Sequence, residues 1–290
     1  MVKSYILAAR PKTLPAAFVP VWVGCVLAWK TTGETDWTLA LLTLLGAMSI
    51  QIATNLFNDV IDHEKGADTE TRLGPKRATA SGLLSRRAVY GGACFFLLVA
   101  CLASLPLVQS RGPIVIAIGL PSLYLSYGYT GGPFPLAYHG LGELFVILFF
   151  GLVAVGGTFF VQTGEWTWSA GVLGLQVGLL CAVLISINNL RDLEEDRRSG
   201  KRTLGVRFGR GNLQLVIAGF IALSLMLTFC GLWYGVPWFP LLSVPWFVVG
   251  AFSVRGVMAS PPGRHYNRFL GYAALQLVLF AVFFMISVVV

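Results

Sequence analysis

"WTLALLTLLGAMSIQIATNLFNDVIDHEKGAD", residues 37–68, decides the fold. Residues 37–58 carry no charge, and Asp59, Asp62, Glu64 and Asp68 follow directly. A run of about 20 apolar residues is the length a helix needs to cross a bilayer. The pattern recurs near 14–30, 88–109, 113–129, 140–162, 169–190, 212–234, 238–254 and 269–289, which makes nine candidate spans. The composition agrees: the 290 residues are 56% hydrophobic and 12% charged, with a mean hydropathy of +0.74. A globular domain carries about 25% charged residues. The expected fold is therefore an all-α multi-pass membrane protein. Nine transmembrane helices would surround a central cavity opening to the cytoplasmic side.

Lysine and arginine set the orientation. With nine spans, the N-terminus shares one side with the loops after the even-numbered spans. All of the 21 basic residues except Lys30 and Arg111 fall on that side. The bias places the N-terminus in the cytoplasm and the C-terminus opposite, and it reads the net charge of +8 as topology, not nucleic-acid binding. Trp29, Trp37, Trp166, Trp168, Trp233 and Trp238 lie near the opposite ends of their spans, as an interfacial belt requires. The five cysteines all fall inside spans, with no spacing suited to zinc or redox work, and are read as small packing residues. The first span lacks a cleavable signal pattern and is expected to be retained. Nothing points to an obligate protein partner.

Of 13 acidic residues, all but Glu34, Asp36, Glu143 and Glu165 sit in two clusters. Asp59, Asp62, Glu64, Asp68 and Glu70 follow the second span; Asp192, Glu194, Glu195 and Asp196 follow the sixth. The sites resemble each other, with Asn55 against Asn188, Asp59 against Asp192 and Asp62 against Asp196. On helices these spacings put the asparagine and the aspartates on one face. The match hints at a four-helix repeat within one domain of 290 residues, about 1–135 and 136–290. Crowded carboxylates repel. A hard divalent cation relieves that repulsion, and Mg²⁺ binds through one or two carboxylates plus substrate phosphates. Arg72, Lys76 and Arg77 beside one cluster, and Arg191, Lys201 and Arg202 beside the other, suit a phosphate. Two metal sites would flank a diphosphate. A lone loop of mixed charge is usually just solvated. Two matched clusters, each opened by an asparagine inside an apolar helix, are costly unless used.

These motifs resemble the UbiA superfamily of intramembrane aromatic prenyltransferases. The residues that carry the resemblance are Asn58-Asp59-Val60-Ile61-Asp62 with Asp68, and Asp192 to Asp196. Four longer stretches, 10–24, 58–69, 129–143 and 188–204, resemble the branch that prenylates 1,4-dihydroxy-2-naphthoate in menaquinone synthesis. The third aspartate of the first motif is displaced: Gly66 holds its strict position and Asp68 comes two residues later, which makes Asp68 the least expected direct ligand. The resemblance implies a Mg²⁺-dependent transfer from a prenyl diphosphate to the naphthoate, with loss of CO₂, in the bacterial inner membrane. Two Mg²⁺ ions would bridge the diphosphate. Relatives that attach phytyl chains share the motifs.

The implied metal set is Asp59, Asp62, Asp192 and Asp196, joined by Asp68, with Asn55 and Asn188 as metal or phosphate contacts. Lys201, Arg202, Arg72, Lys76 and Arg191 are diphosphate candidates, with Asn58 and Asn189 beside them. Arg10 and Lys12 are placed to reach a phosphate or the naphthoate carboxylate, or to anchor by snorkelling. Glu143 is the one acid inside a span, either hydrogen-bonded to a substrate hydroxyl or paired with an arginine. Tyr129, with Tyr124 and Tyr127, faces the ring and the developing cation or anchors at the interface. His63 is expected to be solvated. Ion-coupled transport is the rival reading, but transport sites lie near mid-bilayer, whereas these acids gather at one edge.

Overall fold

The computed structural model describes residues 2–66, 73–75 and 77–290, and every regular element in them is helical. In chain order these are α1 (Val2–Ala9), α2 (Pro15–Thr32), α3 (Trp37–Glu64), α4 (Arg86–Arg111), α5 (Ile114–Gly128), α6 (Gly142–Val146) and α7 (Ala154–Thr163). They are followed by α8 (Trp168–Arg191), α9 (Leu193–Arg198), α10 (Leu204–Leu227), α11 (Phe239–Leu242), α12 (Val244–Ala259) and α13 (Tyr266–Val289). Lipid offers no hydrogen bonds, so a spanning segment must satisfy its own backbone, which a helix does. The ends are capped by local chemistry. Asp36, Ser85 and Thr167 accept from Leu39, Ala88 and Ala170 amides at the starts of α3, α4 and α8. Gly33 and Gly164 close α2 and α7 at φ of 76° and 80°, where a side chain would be strained.

Six helices among the described residues are long and apolar enough to cross a membrane, and the α1–α2 pair, bent by 54°, makes up to a seventh. The expected fourth and eighth spans are shorter, α5 at 15 residues and α12 at 16. At about 1.5 Å per residue neither reaches the ~30 Å of a hydrocarbon core when straight. Glycine and proline at their flanks stop them early. The fifth window is one segment, α6 and α7 joined through a π-helical stretch at Ile147–Val153. The second window runs further than expected, because α3 continues to Glu64 and holds Asp59 and Asp62 in helix instead of loop. α10 starts earlier than its window and kinks at Gly209.

α8 forms the centre, 83% buried across its apolar window, against 22% for α4. It packs on the π segment, α10, α13 and α2. Glycine permits this. A Cβ added to Gly178 would lie 2.5 Å from the Ile147 carbonyl oxygen, and one on Gly151 would lie 2.7 Å from Gly178 Cα. Small residues bring membrane helices to backbone contact in this way. α2 meets α3, α7, α8 and α13, while α4 covers α3 from outside. Outward faces stay apolar, with Phe95, Leu98, Leu102 and Leu105 exposed along α4. Cys94 and Cys101 belong to that exposed face, so they are not interior packing residues as read from sequence. All six predicted belt tryptophans are exposed.

Candidate active site

A cavity of about 1310 Å³ runs between α2, α3, α5, α7 and α8. Its deep end is apolar, with Leu107, Val115, Ile118 and Val161. Its other end gathers the last turns of α3, the end of α8, the start of α6 and Arg10.

The α3 side is built from a continuous helix. Asn55 donates through Nδ2 to the Ala9 carbonyl at 2.8 Å and Thr13 Oγ1 at 3.0 Å, which leaves its amide oxygen as the free end. Asp59, 1% exposed, accepts from the Ala78 and Thr79 amides at 3.0 and 2.8 Å. Asp62 accepts from Arg77 at 2.7 Å and from the Tyr138 hydroxyl at 3.1 Å, and Lys201 Nζ lies 3.6 Å away. Arg77 was noted in the sequence only as a neighbouring charge, and Tyr138 not at all. Tyr138 sits in a Gly/Pro-rich connection that has no periodicity to mark it. The ammonium groups of Lys65 and Lys201 lie 4.1 and 5.2 Å from the Tyr138 ring centre. Lys65 also donates to the Thr130 carbonyl at 2.7 Å, and burial lowers its pKa. Asn58 accepts from the Thr130 hydroxyl.

The α8 side is arranged differently. α8 ends at Asp192, and the short α9 carries Asp196. Arg191 lines the cavity, but its guanidinium is committed to Asp192 at 2.6 and 2.7 Å, Asn188 at 2.8 Å and Asn267 at 2.7 Å. This ion pair is almost wholly buried. Asp192 also borders a separate hollow of about 610 Å³ with Arg197, Arg198 and Arg210. Asp196 is 7% exposed, and burial, with nearby carboxylates, pushes its pKa up to about 7 against the pull of Lys201. Burial likewise raises Tyr129, which feels the charges of Glu143, Asp62 and Asp196.

Arg10, Lys12, Asn188, Asn189, Tyr129 and Glu143 line the cavity. Arg10 does so from a left-handed backbone, φ 51°, the one such non-glycine residue among those described. Arg202 is exposed and does not line it, while its backbone amide donates to the Tyr138 carbonyl. His63 is half-buried at the cavity wall rather than fully solvated. Tyr124 and Tyr127 are exposed and do not line the cavity. Asp68, Arg72 and Lys76 lie outside the described residues. Lys201 against Asp62 is the contact that joins the two clusters across the cavity mouth.

A profile of the UbiA prenyltransferase family matches residues 17–282. The chain belongs to that family. The 1,4-dihydroxy-2-naphthoate octaprenyltransferase of Mycobacterium tuberculosis is 38% identical over 248 residues, 85% of this chain and 80% of its own. The Escherichia coli enzyme of the same name is 34% identical, covering 85% and 83%. A 2-carboxy-1,4-naphthoquinone phytyltransferase from Synechocystis is 29% identical, covering 85% and 80%. The fold of this UbiA-family chain is similar to that of a UbiA homologue from Archaeoglobus fulgidus solved with GPP and Mg²⁺, at a TM-score of 0.72 and 14% identity over 99% and 100% of the two chains.

Proposed function

We propose that this protein transfers a polyprenyl group from an allylic prenyl diphosphate to 1,4-dihydroxy-2-naphthoate, releasing CO₂ and diphosphate. The observation that carries the reading is the shape of the cavity, a cation- and carboxylate-lined mouth over an apolar chamber. A diphosphate fits the first and its tail the second. The naphthoate acceptor is supported by relatives of that name at 34–38% identity. The Synechocystis relative supports phytyl as the alternative tail. Acids gathered at one edge speak against ion-coupled transport.

Mg²⁺ suits the donors, which are hard oxygens throughout: Asp59, Asp62, Asp192, Asp196 and the Asn55 amide. Among the described residues no three metal-binding side chains already converge. Backbone amides, Arg77 and Lys201 hold the carboxylates instead. Loading would displace Arg77 and Lys201 from Asp62, and these carboxylates would hold the ion while Asp59 keeps its backbone amides. Bound Mg²⁺ supplies positive charge to the departing diphosphate. Lys201 and Arg77, freed from Asp62, add hydrogen-bond donors to the same oxygens. Arg10 and Lys12 line the wall where the naphthoate carboxylate or a phosphate would lie. The allylic C–O bond breaks toward diphosphate. The ring carbon that bears the carboxylate forms the new C–C bond, and the C–CO₂ bond returns its electron pair to the ring. The apolar chamber excludes the water that would quench the cation. We place the protein in the bacterial inner membrane, with the mouth and the N-terminus on the cytoplasmic side, following the basic residues.

The test is purified protein in detergent with Mg²⁺, dihydroxynaphthoate and farnesyl, geranylgeranyl or phytyl diphosphate. Prenylated naphthoquinol that vanishes with EDTA is the expected result. Intact substrates with folded, metal-loaded protein would refute the reading, and uptake into proteoliposomes without product would favour transport.

A further inference from the structure

Glu143 is the buried acid that a diphosphate clamp does not use. It follows Gly142 at the start of α6, is 2% exposed, and lines the cavity. Asn189 Nδ2 donates to its Oε1 at 2.9 Å. Its Oε2 is buried with no hydrogen-bond partner. Ser186 on α8 stands close enough to act on the same carboxyl as a donor, although its buried hydroxyl makes no full hydrogen bond. No arginine meets Glu143 among the described residues. An unpartnered buried acceptor is costly, more so when charged, so a ligand that satisfies it gains affinity. Tyr129 fixes where the ligand would sit. Its hydroxyl packs on Gly142, where an added Cβ would lie 2.8 Å from it, and it feels the charges of Glu143, Asp62 and Asp196. Glu143 and Tyr129 thus line the same part of the cavity.

We propose that Glu143, oriented by Asn189, accepts a hydrogen bond from a ring hydroxyl of the aromatic acceptor. This rests on the prenyltransferase reading above. The hydroxyl beside the attacked carbon feeds electron density into it. Its proton becomes more acidic as the ring attacks, so the bond to Glu143 strengthens in the transition state. No net proton transfer is needed, because the ring recovers its electron pair from the departing CO₂. Asn189 is a positioning residue, and Glu143 touches the substrate.

Steady-state kinetics of Glu143→Gln test this. Glutamine keeps the shape but turns its one oxygen to Asn189, leaving an amide toward the hydroxyl. The KM for dihydroxynaphthoate rises, or kcat falls, so that kcat/KM drops about 10- to 100-fold. The KM for the prenyl diphosphate stays within about twofold. 2-Naphthoate, which has no hydroxyl, serves as a competitive inhibitor, and its Ki is the same in both proteins. An unchanged kcat/KM for dihydroxynaphthoate would overturn the proposal. So would a parallel loss for both substrates and for 2-naphthoate, which is what a merely structural role gives. If Glu143→Gln does not fold, Glu143→Asp, which withdraws the carboxylate by one methylene, is measured against the same three ligands. No product from wild type overturns the functional reading and this inference together, whereas product from wild type with an unaffected variant overturns only the inference.

Discussion

Asp59→Asn separates two things that the Asp59 carboxylate does. Both its oxygens accept backbone amides, Ala78 at 3.0 Å and Thr79 at 2.8 Å, at a site 1% exposed. This latch holds the 77–79 segment over the cavity mouth and carries Arg77 to Asp62. Asparagine keeps one oxygen and sets an NH₂ group against the other amide. One charge-assisted bond is lost and the other falls to neutral strength, a cost of about 2–4 kcal/mol. If the closed segment is needed for turnover, kcat/KM falls about 30- to 1000-fold from that cost alone. Loss of a metal ligand adds to it. The assay pairs prenyl transfer over a Mg²⁺ titration with trypsin. Arg77 is 6% exposed and protected in wild type, and cleavage after it appears in the variant. An inactive variant still protected at Arg77 would refute the latch and leave only a metal role. A variant within about threefold of wild type, equally protected, would refute both.

Arg191→Met takes the guanidinium away from the buried Asp192 carboxylate, and breaking a buried pair in this way costs about 3–5 kcal/mol. Melting in detergent should fall sharply and recover when Asp192→Leu is added; a stable single variant would contradict the buried pair. Gly178→Leu drives a side chain into the Ile147 backbone and should cost at least about 1–3 kcal/mol, whereas Gly171→Leu, with nothing within 4 Å, should leave the melting temperature unchanged. Equal effects would show that α8 is not packed as described. Asp196 has its folded pKa raised from 3.8 to about 7, so the protonated form is favoured in the fold. Its contribution to metal-free stability is full below 3.8 and is lost as pH rises through about 7. In EDTA, wild type should lose melting temperature across that window and Asp196→Asn should lose less. Parallel curves would sink the assignment.

Much of this molecule is local in its causes, and so was legible from the sequence. Hydropathy alone located the apolar helices, because a lipid-facing backbone leaves the chain no other option. The two acidic clusters stood out for the same reason, since charge beside a span is rare enough to notice. Periodicity also put Asn55, Asp59 and Asp62 on one face, and the long α3 keeps them there. At α8 the helix breaks at Asp192, whose carboxylate is held by Arg191, so the second cluster is carried by a helix end and the short α9 instead of one continuous helix. Arg202 was chosen by adjacency, and adjacency in a loop does not say which way a side chain turns.

The sequence by itself determined the membrane helices, the capped ends and which residue types gather at their polar edge. Only the tertiary structure decided which charges meet. Arg191 goes to Asp192, Arg77 and Lys201 go to Asp62, and Glu143 keeps one oxygen for something else. The reason is reach. A hydrophobic period acts over a few residues, while Lys201 and Asp62, far apart in the chain, meet only once the helices have packed around one cavity.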